Sequence, residues 1–361
     1  MVLSCNIRLR RVVPLIQVGF LALAALLLAA NPVLAGGRTH ISSCTKKPYI
    51  ISKAGSYVLT ENLSTTGDKD CIVVEVGSVT IDFDGFAITG SKVAVHGRNS
   101  RGVTILNGTI RLAASDGIVL GNNGIVNNMQ VNVNFGNGIV CAIHCIITDN
   151  TVNSNGSQGI QVLAAATIVN NTVSYNGRHG IVCRGDRFSA AECKISGNTV
   201  TLNGQSVLGG SGILAGSQSV IEDNTVNGNF DEGVVASSST VSGNAVNSNG
   251  KAGVRATNGS VLSGNTANFN GKASSCTPLG GGITVVRPTD CGVDLGGNLA
   301  IGNTASGNAG YGIDFGGDTT NGYENNVAFN NNATQPPTVT GQINHGSSLG
   351  NNLCNGSTAG C

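Results

Sequence analysis

The chain has 361 residues, with 53 glycines, 43 asparagines, no tryptophan and a formal net charge of +1. Glycine and asparagine tolerate left-handed backbone, so this composition favours many tight turns and excludes an ordinary helical bundle. The near-neutral charge gives no basic surface for nucleic acid, and an apolar content of 40% argues against disorder.

Segment 1–35 has the successive zones of a signal peptide. A basic cluster from Arg8 to Arg11 precedes the apolar run Val12–Ala30, and small residues end at Ala35. The alternative is an uncleaved membrane anchor, because the apolar run is nearly long enough to span a bilayer. We expect cleavage, a secreted or periplasmic protein, and no stable membrane anchor afterwards.

Cleavage would remove Cys5 and leave an even number of cysteines in an oxidising compartment. No CxxC pair is present, which makes a zinc site the weaker alternative. We therefore expect structural disulfides between neighbours in sequence, although spacing alone does not prove connectivity. The suggested pairs are Cys44–Cys71, Cys141–Cys145, Cys183–Cys193, Cys276–Cys291 and Cys354–Cys361.

The two ends differ from the middle of the chain. Residues 36–70 lack the repeat described below and are predicted to cap the open strand edges of the first coil. Segment Ser78–Gly90 alternates apolar and polar residues and is predicted to be an early coil. Residues 331–361 are rich in Asn, Gly and Ser and are predicted to form a C-terminal cap or tail.

A repeat of about 21 residues organises the chain over 71–330. In each copy an Asn is followed by Thr-Val or a similar pair, and about eight residues later a Gly precedes Ile or Val. Longer gaps after Asn171 and Asn265 carry inserted loops. The repeated asparagines are Asn150, Asn171, Asn198, Asn224, Asn244, Asn265 and Asn303, with weaker copies at Asn107, Asn128 and Asn326.

Each repeat contains three short β-prone segments separated by Asn/Gly turns. One such coil cannot bury its apolar side chains alone, whereas stacked coils share a continuous interior of Val and Ile. The pattern therefore predicts an all-β fold, a parallel β-helix (a solenoid) of about eleven coils at about 4.8 Å each. The repeated asparagines are predicted to stack as a structural amide ladder and not to be catalytic.

The segments ISKAGSYVLTENL, CIVV and SVTIDFDGFAITG, with the serial NTV and GI elements, resemble secreted bacterial right-handed parallel β-helix repeat proteins. These belong to the pectate-lyase-like superfamily, and the resemblance extends from about Ile50 to Asn330. It implies a right-handed solenoid. The superfamily includes polysaccharide lyases, glycoside hydrolases, alginate epimerases and non-catalytic surface proteins, so the fold does not select an activity.

The best-marked enzyme groups of that superfamily have motifs that this chain lacks. There is no NTD, DD and RIK set as in polygalacturonases, no DPHD as in alginate epimerases and no WiDH as in the main pectate lyases. No catalytic residue is therefore carried over from the resemblance.

Alignment on the repeat brings charged residues together. The residue before each Gly and the residue two positions after it recur in every coil, so their side chains form rows along the solenoid. Most positions of these rows are uncharged, and a mixed-charge band stands out. When residues next to the rows are added, its members are Arg178, His179, Asp231, Glu232, Lys251, Arg255, Asp294, Tyr311 and Asp314.

The functional interpretation of this band is a groove for an acidic polysaccharide. A lyase or epimerase removes the proton next to a uronate carboxylate, and Arg255, Lys251 and His179 are the candidate catalytic bases. No cofactor is required by the sequence, but paired carboxylates could hold Ca²⁺. The candidate substrate-binding residues are Arg178, Asp231, Glu232 and Tyr311, and the candidate metal ligands are Asp294 and Asp314.

Two function classes stay open. The leading hypothesis is a secreted β-helix that binds an acidic extracellular or cell-wall polysaccharide and, in its stronger form, modifies it as a lyase or epimerase. A glycoside hydrolase is less favoured, because it needs two opposed carboxylates. The alternative is a non-catalytic structural or adhesive surface protein whose charges form a solvated face. The scarcity of aromatic residues, at 4% of the chain, weighs against an enzyme.

Overall fold

The structure is a computed structural model that describes residues 37–185, 190–205, 209–271, 283–285, 298–308, 312–314, 321–331, 343–344 and 347–354. These residues form β-strands and turns, with no helix among them. Within the same ranges no helix is long and apolar enough to cross a membrane. The predicted signal segment lies outside the described residues, as do Asp294 and Tyr311.

The strands form two sheets that run along the solenoid, and every coil contributes to both. The first sheet has 13 strands and the second has 25. The strands of the first sheet are Tyr49–Ile51, Ile72–Val74, Val95–Gly97, Ile118–Leu120, Ile139–Ile143, Ile160–Ala164, Ile181–Cys183, Ile213–Ser217, Val234–Ser237, Val254–Thr257, Ile283–Val285, Ile313–Asp314 and Ile343–Asn344.

The second sheet is bent, because most coils supply two of its strands with a sharp turn between them. Its strands are Thr39–Ile41, Gly55–Leu59, Leu63–Ser64, Val79–Asp82, Ala87–Thr89, Val103–Arg111, Ile125–Asn132, Ile146–Thr148, Thr151–Asn153, Thr167–Val169, Thr172–Ser174, Lys194–Ser196, Thr199–Thr201, Val220–Glu222, Thr225–Asn227, Thr240–Ser242, Ala245–Asn247, Val261–Ser263, Thr266–Asn268, Leu299–Ile301, Thr304–Ser306, Gly322–Glu324, Val327–Phe329, Ser347–Gly350 and Leu353–Cys354.

Every strand pair of both sheets is parallel, which confirms the predicted all-β parallel solenoid. The 13 stacked strands of the first sheet correspond to about 12 coils, one more than the sequence predicts. In that sheet Ile139 pairs with Ile160, which pairs with Ile181. All three side chains are fully buried. Each such side chain contributes about 1.5–3 kcal/mol on burial, so the stacked aliphatic rows are the main stabilising feature of the coils.

The predicted asparagine ladder is present. Asn198 Nδ2 donates to Asn224 Oδ1 at 2.9 Å, and Asn198 Oδ1 accepts from Asn171 Nδ2 at 3.0 Å. The same bond joins each successive member, and all are buried. The row comprises Asn150, Asn171, Asn198, Asn224, Asn244, Asn265, Asn303, Asn326 and Asn352.

The weaker copies at Asn107 and Asn128 are not ladder members, and this part of the prediction is wrong by one residue. Both have left-handed backbone, with φ of 61° and 51°, at the position just before the ladder. Met129 occupies the ladder position of its coil, and its backbone N–H donates to Asn150 Oδ1 at 2.9 Å. The turn tolerates the shift because Asn readily adopts the left-handed conformation.

A second ladder, which the sequence analysis did not identify, runs through the turn that leads back to the first sheet. Asn155 Nδ2 donates to Asn176 Oδ1 at 2.9 Å, and both residues are buried. The members of the second ladder are Asn134, Asn155, Asn176, Asn203, Asn229, Asn249, Asn270, Asn308 and Asn331.

Three of the five suggested disulfides are confirmed, namely Cys44–Cys71, Cys141–Cys145 and Cys183–Cys193. Cys354 is also disulfide-bonded, while Cys361 lies outside the described residues. The pair Cys276–Cys291 lies outside them as well.

Strand pairing continues on both sides of the predicted 71–330 repeat region. Thr39–Ile41 pairs with Tyr57–Leu59 at the N-terminal side, and Leu353–Cys354 pairs with Val327–Ala328 at the C-terminal side. The capping roles of 36–70 and 331–361 stay predictions.

Candidate functional site

The candidate site lies on four successive coils, at the turn that enters the first sheet. Two rows of side chains cross these coils, because Ile181 pairs with Ile213, Ile213 with Val234 and Val234 with Val254. One row, three residues before the paired positions, contains Arg178, Gly210, Asp231 and Lys251. The other row, two residues before them, contains His179, Ser211, Glu232 and Ala252.

Hydrogen bonds connect the second row from coil to coil. The backbone N–H of Ser211 donates to His179 Nδ1 at 2.9 Å, and Ser211 Oγ donates to Glu232 Oε2 at 3.1 Å. His179 and Glu232 are partly buried, whereas Ser211 is almost fully buried. Ser211 therefore holds the imidazole and the carboxylate on either side of its own coil.

Two ion pairs join the next two coils. Lys251 Nζ lies 2.8 Å from Asp231 Oδ1, and an Arg255 guanidinium nitrogen lies 3.5 Å from Glu232 Oε1. The two carboxylates stand on one coil and the two cations on the following one. Asp231 and Glu232 are consequently held by partners within the protein.

Burial is the main cause that lowers the pKa of His179, and the positive charges of Arg184 and Arg178 lower it further. Asp231 and Glu232 act in the opposite direction but do not cancel these effects. A backbone N–H can only donate, so Nδ1 accepts and the neutral ring carries its proton on Nε2. At neutral pH His179 is thus an uncharged side chain with a proton to donate.

We call the following seven residues the charged cluster: Arg178, His179, Arg184, Asp231, Glu232, Lys251 and Arg255. With His179 neutral it contains four cations and two carboxylates, a net charge of +2. Arg178 Nε is buried and has no hydrogen-bond partner within the described part of the chain. The cluster therefore combines a local excess of positive charge with a guanidinium N–H that has no hydrogen-bond partner in the part of the chain that the structure describes.

This arrangement changes the chemical roles expected from the sequence. Lys251 and Arg255 each form an ion pair with a carboxylate, and a cation is not a proton acceptor. His179 has its Nδ1 lone pair occupied by the Ser211 N–H. The geometry suits all three residues to binding and hydrogen-bond donation better than to the base role for which the sequence selected them.

Of the two predicted calcium ligands, only Asp314 lies within the described residues, so the predicted pair stays a prediction. The strand register places Thr284 between Arg255 and Asp314, in the row position where the sequence analysis placed Asp294. Asp314 itself is buried. The described ranges contain no group of three or more His, Cys, Asp or Glu side chains that could hold a metal ion.

The structure thus brings together six of the nine band residues and adds two that sequence reasoning did not select. Ser211 stands in the same row as His179 and Glu232, but it carries no charge and therefore did not stand out in the sequence. Arg184 follows Cys183 at the start of an inserted loop, and the Cys183–Cys193 disulfide closes that loop beside the cluster. The position of Arg184 next to a predicted disulfide is the sequence feature that could have pointed to it.

Comparison with known proteins identifies the fold. The family model described as the right-handed β-helix region matches residues 48–191 and 144–291. Curated protein sequences contain no significant match to the chain.

The solved structures that are similar to this chain include two epimerases. The A-module of the Azotobacter vinelandii mannuronan C-5 epimerase AlgE4 has a TM-score of 0.53 at 19% identity, covering 86% of this chain and 91% of that one. The periplasmic alginate epimerase AlgG, as a double mutant, has a TM-score of 0.53 at 15% identity, covering 85% of this chain and 76% of that one. At such low sequence identities, the similarity shows that the solenoid fold is shared and shows nothing about activity.

Proposed function

This chain belongs to the right-handed β-helix family, and we propose that it is an extracytoplasmic protein that binds an acidic polysaccharide at the charged cluster. The observation that carries the proposal is the net charge of +2 of this cluster, set on adjacent coils about 4.8 Å apart. Cleavage after residue 35 would leave the chain as a whole net acidic, because three arginines are lost. The charged cluster would then be a positively charged region on a protein whose net charge is negative.

The chemistry of the cluster supports a carboxylate-bearing ligand. Guanidinium groups bind carboxylates with paired N–H donors, and the Nε–H of Arg178 has no partner among the described residues. A neutral His179 adds a donor at Nε2 without adding charge. Polymers with a carboxylate on each sugar could therefore contact several coils at once.

The internal disulfides support a location outside the cytoplasm, since such bonds persist in oxidising compartments. Secretion through the 1–35 segment is part of the same proposal.

The proposal is tested by titrating the protein with alginate and pectate in a calorimeter. Arg178→Gln should weaken binding about tenfold, because a charge-assisted hydrogen bond contributes about 1.5–3 kcal/mol. The matched control is Lys194→Gln, which removes one positive charge from an ion pair on the second sheet, where Lys194 Nζ lies 3.0 Å from Glu222. Equal effects of the two variants, or no binding by the unaltered protein, would contradict the proposal.

Ionic strength gives an independent check. Binding through exposed charges should weaken steadily as salt is raised from about 0.05 M to 0.5 M, because the screening length shortens. A neutral polymer should show no such dependence.

The ion pairs of Lys251 and Arg255 favour binding without catalysis over lyase or epimerase action. Incubation with alginate or pectate, with and without Ca²⁺, should then give no ultraviolet-absorbing unsaturated uronide and no change in uronate stereochemistry by NMR. Alginate is the first substrate to test, because the similar solved structures include enzymes that are named as mannuronan or alginate epimerases. A product that disappears in His179→Gln would show instead that the cluster is catalytic.

A further inference from the structure

Four exposed aromatic side chains lie along one edge of the solenoid, at the turn that leads into the first sheet. Each is at least half exposed, at 75% for Phe135, 56% for Tyr175, 51% for Phe230 and 57% for Phe269. The whole sequence has only 14 Phe and Tyr residues. We call these four the aromatic stripe.

The members of the stripe recur on every second coil. The strands that follow them begin at Ile139, Ile181, Val234 and Ile283, and these are alternate strands of the first sheet. Two coils correspond to about 9.6 Å. The backbone positions of the four residues are thus about two coils apart along the solenoid axis. The ring of Phe269 approaches Gly307 on the following coil, and the ring of Phe230 approaches Gly209 on the preceding coil.

All four residues flank the buried second ladder. Phe135 and Phe230 directly follow ladder asparagines, whereas Tyr175 and Phe269 directly precede them. The ladder amide points inward, so its neighbours on the tight turn are displayed outward. The stripe therefore follows from the backbone geometry of the turn and not from packing between the rings.

Apolar residues fill further positions of the same edge. Leu112, Val133 and Leu202 are exposed there, with left-handed φ of 55–58°. Gly228 and Gly307 occupy the equivalent position of other coils. A turn that glycine suits well thus carries bulky apolar side chains on several coils, whereas Ser154 and Ser248 occupy the same position on two others. Exposed apolar side chains concentrated along one edge mark an interaction site.

The stripe is continuous with the charged cluster. Phe230 is followed by Asp231, and a Cβ added to Gly209 would lie 2.7 Å from Asp231 Oδ2 and 3.3 Å from a ring carbon of Phe230. A ligand that contacts Phe230 would therefore also reach the ion-paired residues.

We infer that the aromatic stripe binds an extended, β1,4-linked polysaccharide by contact between its sugar rings and the aromatic rings. Such a chain repeats every two sugars, over a length comparable to two coils, so successive disaccharides can each contact one aromatic side chain on either side of the ladder. The inference rests on the proposed polysaccharide binding and adds the linkage geometry and the direction of the chain along the axis.

The sharpest test uses the absence of tryptophan from the chain. Tyr175→Trp places a single fluorescent reporter within the stripe. Alginate, and the uncharged β1,4-linked cellohexaose, should both shift its emission to shorter wavelength and protect it from acrylamide quenching. An unchanged emission at concentrations where calorimetry detects binding would overturn the inference.

A second test separates the stripe from the cluster. Phe135→Ser combined with Tyr175→Ser should weaken alginate and cellohexaose binding about tenfold or more. The control pair, Ile146→Ser with Val261→Ser, removes exposed apolar side chains from the second sheet and should leave both affinities unchanged. Arg178→Gln should weaken only the binding of alginate.

The outcomes distinguish the two proposals. If the stripe variant binds both glycans as tightly as the unaltered protein while Arg178→Gln loses alginate, the inference is wrong and the proposed function stands. If the stripe variant loses both glycans and Arg178→Gln loses neither, the inference stands and the charged cluster is not the acidic site. A stripe variant that changes only the sedimentation coefficient would identify an interface between copies and overturn the inference.

Discussion

The asparagine ladders and the charged cluster both consist of contacts from coil to coil, but they differ in what those contacts do. Each ladder amide is buried and bonded to the coils before and after it. The cluster instead holds opposite charges at the surface, where Lys251 is 39% exposed. Buried amides are costly to leave unpaired, whereas exposed ion pairs contribute less than about 1 kcal/mol. The ladders therefore contribute more to stability than the ion pairs of the cluster do, and the cluster is available for binding.

The largest effect is expected from breaking a ladder. Asn198→Ala removes the acceptor for the N–H and the side-chain amide of Asn171, and the donor to the Ile168 carbonyl at 2.9 Å. Because several buried groups lose their partners, unfolding should become easier by about 3 kcal/mol or more. Chemical denaturation followed by circular dichroism measures this change.

The matched control for that variant is Asn153→Ala, at a partly exposed strand position outside both ladders. It should change the unfolding free energy by less than about 0.5 kcal/mol. Equal losses in the two variants would remove the distinction between ladder and surface asparagines.

An intermediate loss of stability is expected from removing the disulfide that lies beside the charged cluster. Cys183 and Cys193 are both buried, and their disulfide closes the loop that begins with Arg184. Replacing both with Ala should cost about 2–4 kcal/mol. It should also weaken alginate binding, since Arg184 loses its fixed position. Loss of stability with unchanged affinity would show that Arg184 does not contribute to the site.

The smallest effect concerns the protonation of His179. Its folded pKa lies below the ordinary value of about 6.5, so the unfolded chain binds the proton more readily. The stabilisation from neutral His179 is therefore fully present above about pH 6.5 and is lost as the pH falls through the folded pKa. Protonation at Nδ1 would also break the bond from the Ser211 N–H.

His179→Gln should flatten this part of the stability profile between about pH 7.5 and pH 5, because glutamine can accept the same N–H without titrating. His144→Gln, at an exposed position, is the control and should leave the profile unchanged. An unaltered slope in His179→Gln would contradict the assigned hydrogen bond.

The fold was largely predictable because its determinants are periodic. A 21-residue repeat of Asn and of Gly followed by an apolar residue fixes strand order, register and the inward face together, and Asn150, Asn171 and Asn198 stack as expected. The second ladder could also have been predicted from the sequence. Each of its members from Asn155 to Asn331 stands five residues after a member of the first, a spacing that repeats throughout the chain.

The candidate site was less predictable, because side-chain pairing is not periodic. Alignment placed Asp231 and Lys251 on neighbouring coils, but it could not show that they pair with each other. The predicted strand register was also wrong at one coil. Two Gly-apolar pairs, at Gly282 and Gly292, compete for it, and the structure uses the one that leads into Ile283–Val285.

The direction of the ladder bonds gives the solenoid an electrical polarity. In both ladders each side-chain amide that is followed by another member donates to that member, as from Asn150 to Asn171 and from Asn155 to Asn176. The amide dipoles therefore point the same way and add, and each bond polarises the next. The N-terminal end of each row offers an oxygen, which the backbone N–H groups of Met129 and Ala113 occupy. The two ends of the solenoid are thus electrically different, and a charged ligand or a neighbouring solenoid could distinguish them.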